Sequence, residues 1–239
     1  MESMTAKSCN LLQGNGQNKS VMMTDLHEFL EKSATRHKHL CPRQVLGVRM
    51  GMMAAKHLAL DLPQVNKGLL TIVETDGCFV DGIEAATDCS IGHRTLRIMD
   101  YGKIGATFVD TITGDAIRLA PQKDVREAAD NYVPQGKNRW ERQLLGYQRM
   151  PEFELFTMEQ VELIVPIEEI VSRPGLRFLC DECGEEIINE REINIDDQIL
   201  CRACAGYGYY FSAIGRDEIE VLCNKQSNLS LSNNELQEG

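Results

Sequence analysis

Cys180-Asp181-Glu182-Cys183 and Cys201-Arg202-Ala203-Cys204 are two Cys-x-x-Cys pairs with 17 residues between them. Each pair makes a tight knuckle that turns two sulfurs to one side. The stretch between them is long enough for a short hairpin that brings the knuckles together. Four thiolates at this spacing suit a closed tetrahedral zinc site with no open position, so the role expected of the ion is structural. Two disulfides are the competing reading of the same four residues. A knuckle, a hairpin within Ile187–Leu200 and a helix running from the second knuckle through Cys204 and Tyr209 together predict a treble-clef zinc finger rather than an all-β ribbon. The aromatic run Tyr207, Tyr209, Tyr210 and Phe211 is read as packing surface.

Outward from the finger, Pro174-Gly175 marks a boundary. The expected division is a flexible extension over residues 1–22, a core over 23–172, the finger over 173–223 and a polar, disordered tail over 224–239. In the core, apolar periodicity predicts helices over Met23–Arg36 and Arg43–Leu60, the second opened by Pro42. Gly47 and Gly51 stand one turn apart and leave room for close packing. Strands are expected at Leu69–Glu74, Thr95–Met99, Ala106–Ile112, Ala116–Leu119 and Gln160–Pro166. Further helices are expected at Phe79–Thr87, Asp124–Asn131 and Arg139–Gln148. Strands and helices do not alternate regularly, so the fold class is α+β: a mixed core with the zinc finger as an auxiliary module.

Apolar residues make up 43% of the 239, enough for a real core. The net charge of −11 argues against a general nucleic-acid binder, because phosphate binding needs concentrated Lys and Arg, and leaves room for a local basic patch. Nine cysteines without a signal-type apolar run suggest a reducing, cytoplasmic setting. No stretch reads as membrane-spanning.

A second group of candidate ligands lies in the core: His37, His39, Cys41, Cys78 and Cys89. Imidazole and thiolate are borderline and soft metal ligands, and a thiolate is also a nucleophile. Cys41 precedes Pro42 and so stands at a helix start, where free N–H groups and the helix dipole stabilise a thiolate. Cys78 precedes the next helix in the same way. If Cys78 to Cys89 were one straight helix, about 16 Å would separate them. Cys41 and Cys78 are therefore the better pair, with His37 or His39 joining them. Cys89 joins only if the chain bends back through Thr87-Asp88. His27, His57 and His93 carry no spacing signal. Lys103 reads as an exposed lysine near a strand turn.

These pieces resemble one family. His37-Lys38-His39-Leu40-Cys41-Pro42 with Leu46-Gly47-Val48-Arg49 resembles the opening motif of the FmdE family of formylmethanofuran dehydrogenase proteins. Thr75-Asp76-Gly77-Cys78, Asp81-Gly82-Ile83 and Thr87-Asp88-Cys89-Ser90-Ile91-Gly92 are similar to its second motif. Asp100-Tyr101-Gly102-Lys103 is similar to its third. Glu154-Leu155-Phe156 and the terminal cysteine pairs match longer members. The family pattern has glycine where this chain has Lys38, Arg43 and Asp88.

The resemblance implies an α+β core with a treble-clef finger, a homodimer, and a core site lined by His39, Cys41, Cys78 and Cys89. It also implies a link to molybdenum or tungsten one-carbon redox metabolism with a redox-enzyme partner. The function expected is an accessory protein that holds a metal, or a small metal-linked ligand, in the core, with zinc in the finger. If the core is catalytic, Cys41 is expected as the reactive thiolate or thiolate ligand, His37 or His39 as base or second ligand, and Lys103 as the group holding an anionic substrate. The competing class is a regulatory or adaptor protein whose finger docks protein or nucleic acid.

Overall fold

Leu69, Leu70, Ile72 and Val73 alternate across β1 (Leu69–Val73), so the strand is apolar on both faces and must lie inside a sheet. It does so in the computed structural model, which describes residues 18–64, 66–171 and 175–210. Five strands are ordered β2-β1-β3-β4-β5. They are β2 (Leu96–Ile98), β3 (Ala106–Asp110), β4 (Ala116–Pro121) and β5 (Phe156–Gln160) around β1. β1 and β2 are parallel and are joined by α3 (Cys78–Thr87), while the other pairs are antiparallel. The mixed α/β core is thus one βαβ unit extended by antiparallel strands.

One sheet face carries Leu69, Val73, Phe108, Ile117 and Leu119 into the main core. There they meet α1 (Asn18–His37), α2 (Pro42–His57), α3 and α5 (Arg139–Arg149). The other face carries Leu70, Val109 and Ala116. It is covered by Val161, Leu163, Ile167 and Ile170, from a connecting segment and one short helical turn. The strand expected at Gln160–Pro166 is displaced to β5, and residues 161–171 become this cover, ending in α7 (Ile167–Val171). Apart from Phe156, β5 is exposed along its length, so it lacks the alternation that marks a half-buried strand. Short helical turns, α4 (Val125–Ala128), a 3-10 turn (Ala129–Tyr132) and α6 (Glu152–Leu155), complete the unit. The first helix begins at Asn18, ahead of the Met23 expected.

At the end of β1, Glu74 accepts from Arg118 Nε at 2.6 Å and Nη2 at 2.8 Å. This guanidinium holds the Glu74 carboxyl below its ordinary 4.5. A depressed carboxylate contributes stability above its unfolded pKa and loses it as pH falls through the folded value. Glu74→Gln is therefore expected to lower unfolding stability by about 2 kcal/mol at neutral pH. The difference should shrink as pH falls below the ordinary 4.5 and vanish only once the pH lies below the depressed folded value, as urea titrations at a series of pH values would show.

The chain divides between Val171 and Ser172. The second unit has two short hairpins where the spacing predicts one. β6 (Arg177–Leu179) pairs with β7 (Glu186–Ile188), and β8 (Ile193–Ile195) with β9 (Gln198–Leu200). Asp196 and Asp197 both adopt positive φ, 49° and 62°, as a two-residue type I′ hairpin turn requires. A single π turn, Ala203–Tyr207, follows β9 in place of the helix expected to reach Tyr209. The expected tail, Phe211 and Pro174 lie outside the described residues, as does most of the expected N-terminal extension. No helix among the described residues is long and apolar enough to cross a membrane.

Candidate metal centres

The core site is built on a glycine contact. A Cβ on Gly47 would lie 2.2 Å from the Phe79 carbonyl oxygen, and one on Gly82 would lie 2.2 Å from the Gln44 carbonyl oxygen. One turn on, Gly51 meets Ala86 and Thr87. The contacts advance together along both helices, so α2 and α3 run parallel with their N-termini at the same end. Cys41 is the N-cap of α2, and Cys78 is the first residue of α3 after Gly77, whose φ of 82° suits only glycine. Two helix starts therefore bring two cysteines together.

Gln44 ties the third element to this end. Its Oε1 accepts the Cys41 backbone N–H at 2.7 Å, and its Nε2 donates to the Ser33 carbonyl at 3.0 Å and to Ser33 Oγ at 2.9 Å. Gln44 and Ser33 are fully buried, so these bonds hold α1 against α2. His37 is the last residue of α1. Its Nε2 lies 3.2 Å from Cys78 Sγ, and its Nδ1 lies 2.8 Å from Asp81 Oδ2. Lys38 then takes a φ of 63°, and the exposed His39 ring meets His37 edge-on at 4.8 Å between centroids. Asp88 ends α3 at a φ of 60°. Both conformations favour glycine.

Cys41 is 8% exposed, and its thiol feels that of Cys78. Burial raises its thiol pKa, against the backbone N–H groups of Gln44 and Arg43 that pull it down. A helix start by itself favours a lowered value, and here desolvation overrides it. Cys78 is the more accessible thiol and the one that faces an imidazole.

Cys89 stands away from this group. The length of α3, about 15 Å, separates it from Cys78 at the helix start. The bend at Asp88 leads it into the main core instead. It is 1% exposed, its thiol donates to the Leu69 carbonyl at 3.4 Å, and burial pushes its pKa up. Lys103 lies 5.9 Å from the Tyr101 ring, and its charge acts on Glu74. None of its described contacts is with His37, His39, Cys41 or Cys78. Asp81 is the residue the motifs underplay. Its signal is present in the chain: three residues after Cys78 on a helix, it shares that residue's face.

In the second unit, the sulfurs of Cys180, Cys183, Cys201 and Cys204 all lie within 4.8 Å of one another. Sulfurs on a tetrahedral zinc ion are about 3.8 Å apart, from Zn–S bonds of about 2.3 Å. Among the described residues this is the group in which three or more ligand atoms converge so closely. The first knuckle sits between β6 and β7, and the second follows β9. Backbone N–H groups of Cys183 and Cys201 hold the Cys180 thiol down to about 6, the Cys201 N–H reaching its sulfur at 3.3 Å. Cys204 N–H likewise donates to Cys201 Sγ at 3.4 Å. Such donors are what a thiolate cluster needs when its charge is shared with a cation.

A family model described as "FmdE, Molybdenum formylmethanofuran dehydrogenase operon" matches residues 36–157, about half of the chain. A probable S-adenosyl-L-methionine-binding protein of Archaeoglobus fulgidus is 29% identical over 213 residues, covering 80% of this chain and 56% of its own length. The chain thus spans little more than half of that relative. A tungsten formylmethanofuran dehydrogenase FmdE-like protein of Syntrophus aciditrophicus, known from its crystal structure, superposes with a TM-score of 0.52 at 20% identity. That likeness covers 78% of this chain and 95% of the solved one, and it concerns the fold.

Proposed function

This chain belongs to the FmdE family, and on that footing we propose that it is a metal-holding accessory protein of formylmethanofuran dehydrogenase-type one-carbon redox metabolism. Its finger holds a structural zinc ion through Cys180, Cys183, Cys201 and Cys204, in a treble-clef arrangement. Its core holds a second metal, or a metal-linked small ligand, through His37, Cys41 and Cys78. His39 stands at the solvent side. A homodimer and a redox-enzyme partner complete the reading.

One observation carries the core assignment: His37 is clamped between Cys78 and Asp81. Metal-binding histidines characteristically donate the second ring N–H to a carboxylate, which fixes the tautomer and orients the other nitrogen. Here Nδ1 faces Asp81, and Nε2 faces the Cys78 sulfur at 3.2 Å. Nitrogen and sulfur on one tetrahedral ion are separated by about 3.5 Å. The donor set of thiolate and imidazole suits zinc or another borderline ion.

The test is metal analysis of the purified chain by inductively coupled plasma mass spectrometry. Two equivalents are expected. Cys78→Ser and Cys41→Ser should each lose the core equivalent and keep the other. Asp81→Asn should keep the stoichiometry and weaken core affinity by about 10- to 100-fold. Unchanged metal content in both cysteine variants would sink the core assignment. The likeness to the Archaeoglobus protein supports a second reading, S-adenosyl-L-methionine binding. Equilibrium dialysis with that compound separates the two, because saturable binding that survives Cys78→Ser belongs to the second.

A further inference from the structure

A cavity of about 380 Å³ opens beside the start of α2 and reaches α4 and α5. Its lining has an unusual balance of charge for this chain. Acidic residues outnumber basic ones 36 to 25 over the whole sequence. Around the cavity stand Arg43, Lys123, Arg126 and Arg139 against the single carboxylate of Glu127. None of the four cations makes an ion pair or a side-chain hydrogen bond with another described residue. Other arginines of the chain do pair: Arg36 with Glu84, Arg118 with Glu74, Arg142 with Asp130, Arg177 with Glu186. Four unpaired cations around one concavity raise the local potential well above that of the surrounding acidic surface.

A second observation points inward. Tyr147 lines the cavity and is 2% exposed. Its carbonyl accepts from Arg49, yet its hydroxyl makes no hydrogen bond with any described residue. The hydroxyl is not among the fully buried unpaired polar atoms, so the small exposure of this residue leaves it open to the cavity. The charges of Arg126 and Arg139 act on this same hydroxyl, with Glu127 acting in the opposite sense. The floor thus offers one free O–H within the field of two guanidinium groups, and Arg43 and Lys123 stand at the rim. Leu46, Ile104 and Val125 supply an apolar wall. Guanidinium forks match the oxygens of phosphate, and the volume lies in the range of small-ligand pockets.

We propose that this cavity is a binding site for a small phosphate monoester, with the phosphoryl group on Tyr147, Arg126 and Arg139 and the organic part against Leu46, Ile104 and Val125. The site is independent of the core metal ligands, although Arg43 is two residues from Cys41. Phosphate rather than carboxylate is favoured because four cations and a hydroxyl exceed what one carboxylate can engage.

Isothermal titration calorimetry on the full chain tests the proposal, with phenyl phosphate as probe. Saturable binding is expected, about tenfold tighter than inorganic phosphate because of the apolar wall. Tyr147→Phe keeps the ring and should weaken binding by about five- to tenfold through one lost hydrogen bond. Arg126→Gln with Arg139→Gln should weaken it by about 30-fold or more. Cys78→Ser should bind as the parent does, and so should Lys56→Gln, which removes a cation outside the cavity. Absence of binding at millimolar probe overturns the site. So does equal loss in Lys56→Gln, which would mean a diffuse charge effect. Loss in Cys78→Ser would assign the binding to the metal centre instead. Benzoate binding as tightly as phenyl phosphate would overturn the phosphoryl assignment.

Discussion

Cys201→Ser is expected to release one metal equivalent and to unfold residues 175–210 while the core sheet stays folded. The magnitude follows from the size of the module. Its buried apolar residues are Ile187 and Leu200, with Cys180 beside them. Burying such side chains contributes about 1.5–3 kcal/mol each. Ordering some three dozen residues costs about 1–2 kcal/mol per residue in backbone entropy alone. The difference must come from the hairpin hydrogen bonds and the ion, and structural zinc supplies about 10–16 kcal/mol in modules of this kind. Cys201 also donates its backbone N–H to the Cys180 sulfur, a bond that lasts only while the knuckle is folded, so unfolding at one ligand position disturbs a second. Hydrogen–deuterium exchange should show β6 to β9 exchanging freely in the variant, with β1 and β3 still protected. Full protection of the finger in a metal-free variant would refute a structural role for the ion.

Gly82→Ala carries the second large effect. The added Cβ would meet the Gln44 carbonyl oxygen at 2.2 Å and the Val48 nitrogen at 2.9 Å. Both are backbone atoms in a helix, so no rotamer change relieves the clash. The helices must move apart, which costs at least about 3 kcal/mol, the upper end of overpacking penalties. Separation also pulls Cys41 from Cys78, because each is fixed to the start of one of these helices. The expected result is a lowered thermal midpoint together with loss of the core metal equivalent. Gly51→Ala is the graded comparison: its Cβ would meet the Thr87 methyl at 2.9 Å and the Ala86 Cβ at 3.2 Å, both side-chain atoms, so a smaller loss with metal retained is expected. If Gly82→Ala loses stability yet keeps its metal, the helix contact does not position the site.

Much of this architecture is legible in the chain. The Cys-x-x-Cys pairs converge because a knuckle is a local structure and its ligands are two short steps apart. β1 reads as buried because it is apolar on both faces, and α2 begins where Pro42 permits it to. Gly47 and Gly51 announce a close neighbour, which is α3. The elements that depart from expectation share another physical cause. β5 is an edge strand with four of its five residues exposed, so nothing in its side chains records the pairing with β4. The apolar run after it reads as a strand because cover for a sheet face needs the same residues as a strand does.

The sequence by itself determined the ligand chemistry: four thiolates at finger spacing, and two cysteines at helix starts with histidines nearby. Tertiary structure alone decided which of the core residues meet. It set Cys89 at the far end of α3, beyond any shared ion, and it joined His37 to Cys78 and Asp81 across 41 and 44 positions of sequence. It also buried Cys41, so that desolvation outweighs the acidifying effect of its helix start. Spacing along a chain constrains neighbours within one turn or one knuckle, whereas these contacts depend on how closely two helices pack, and a pair of glycines sets that distance.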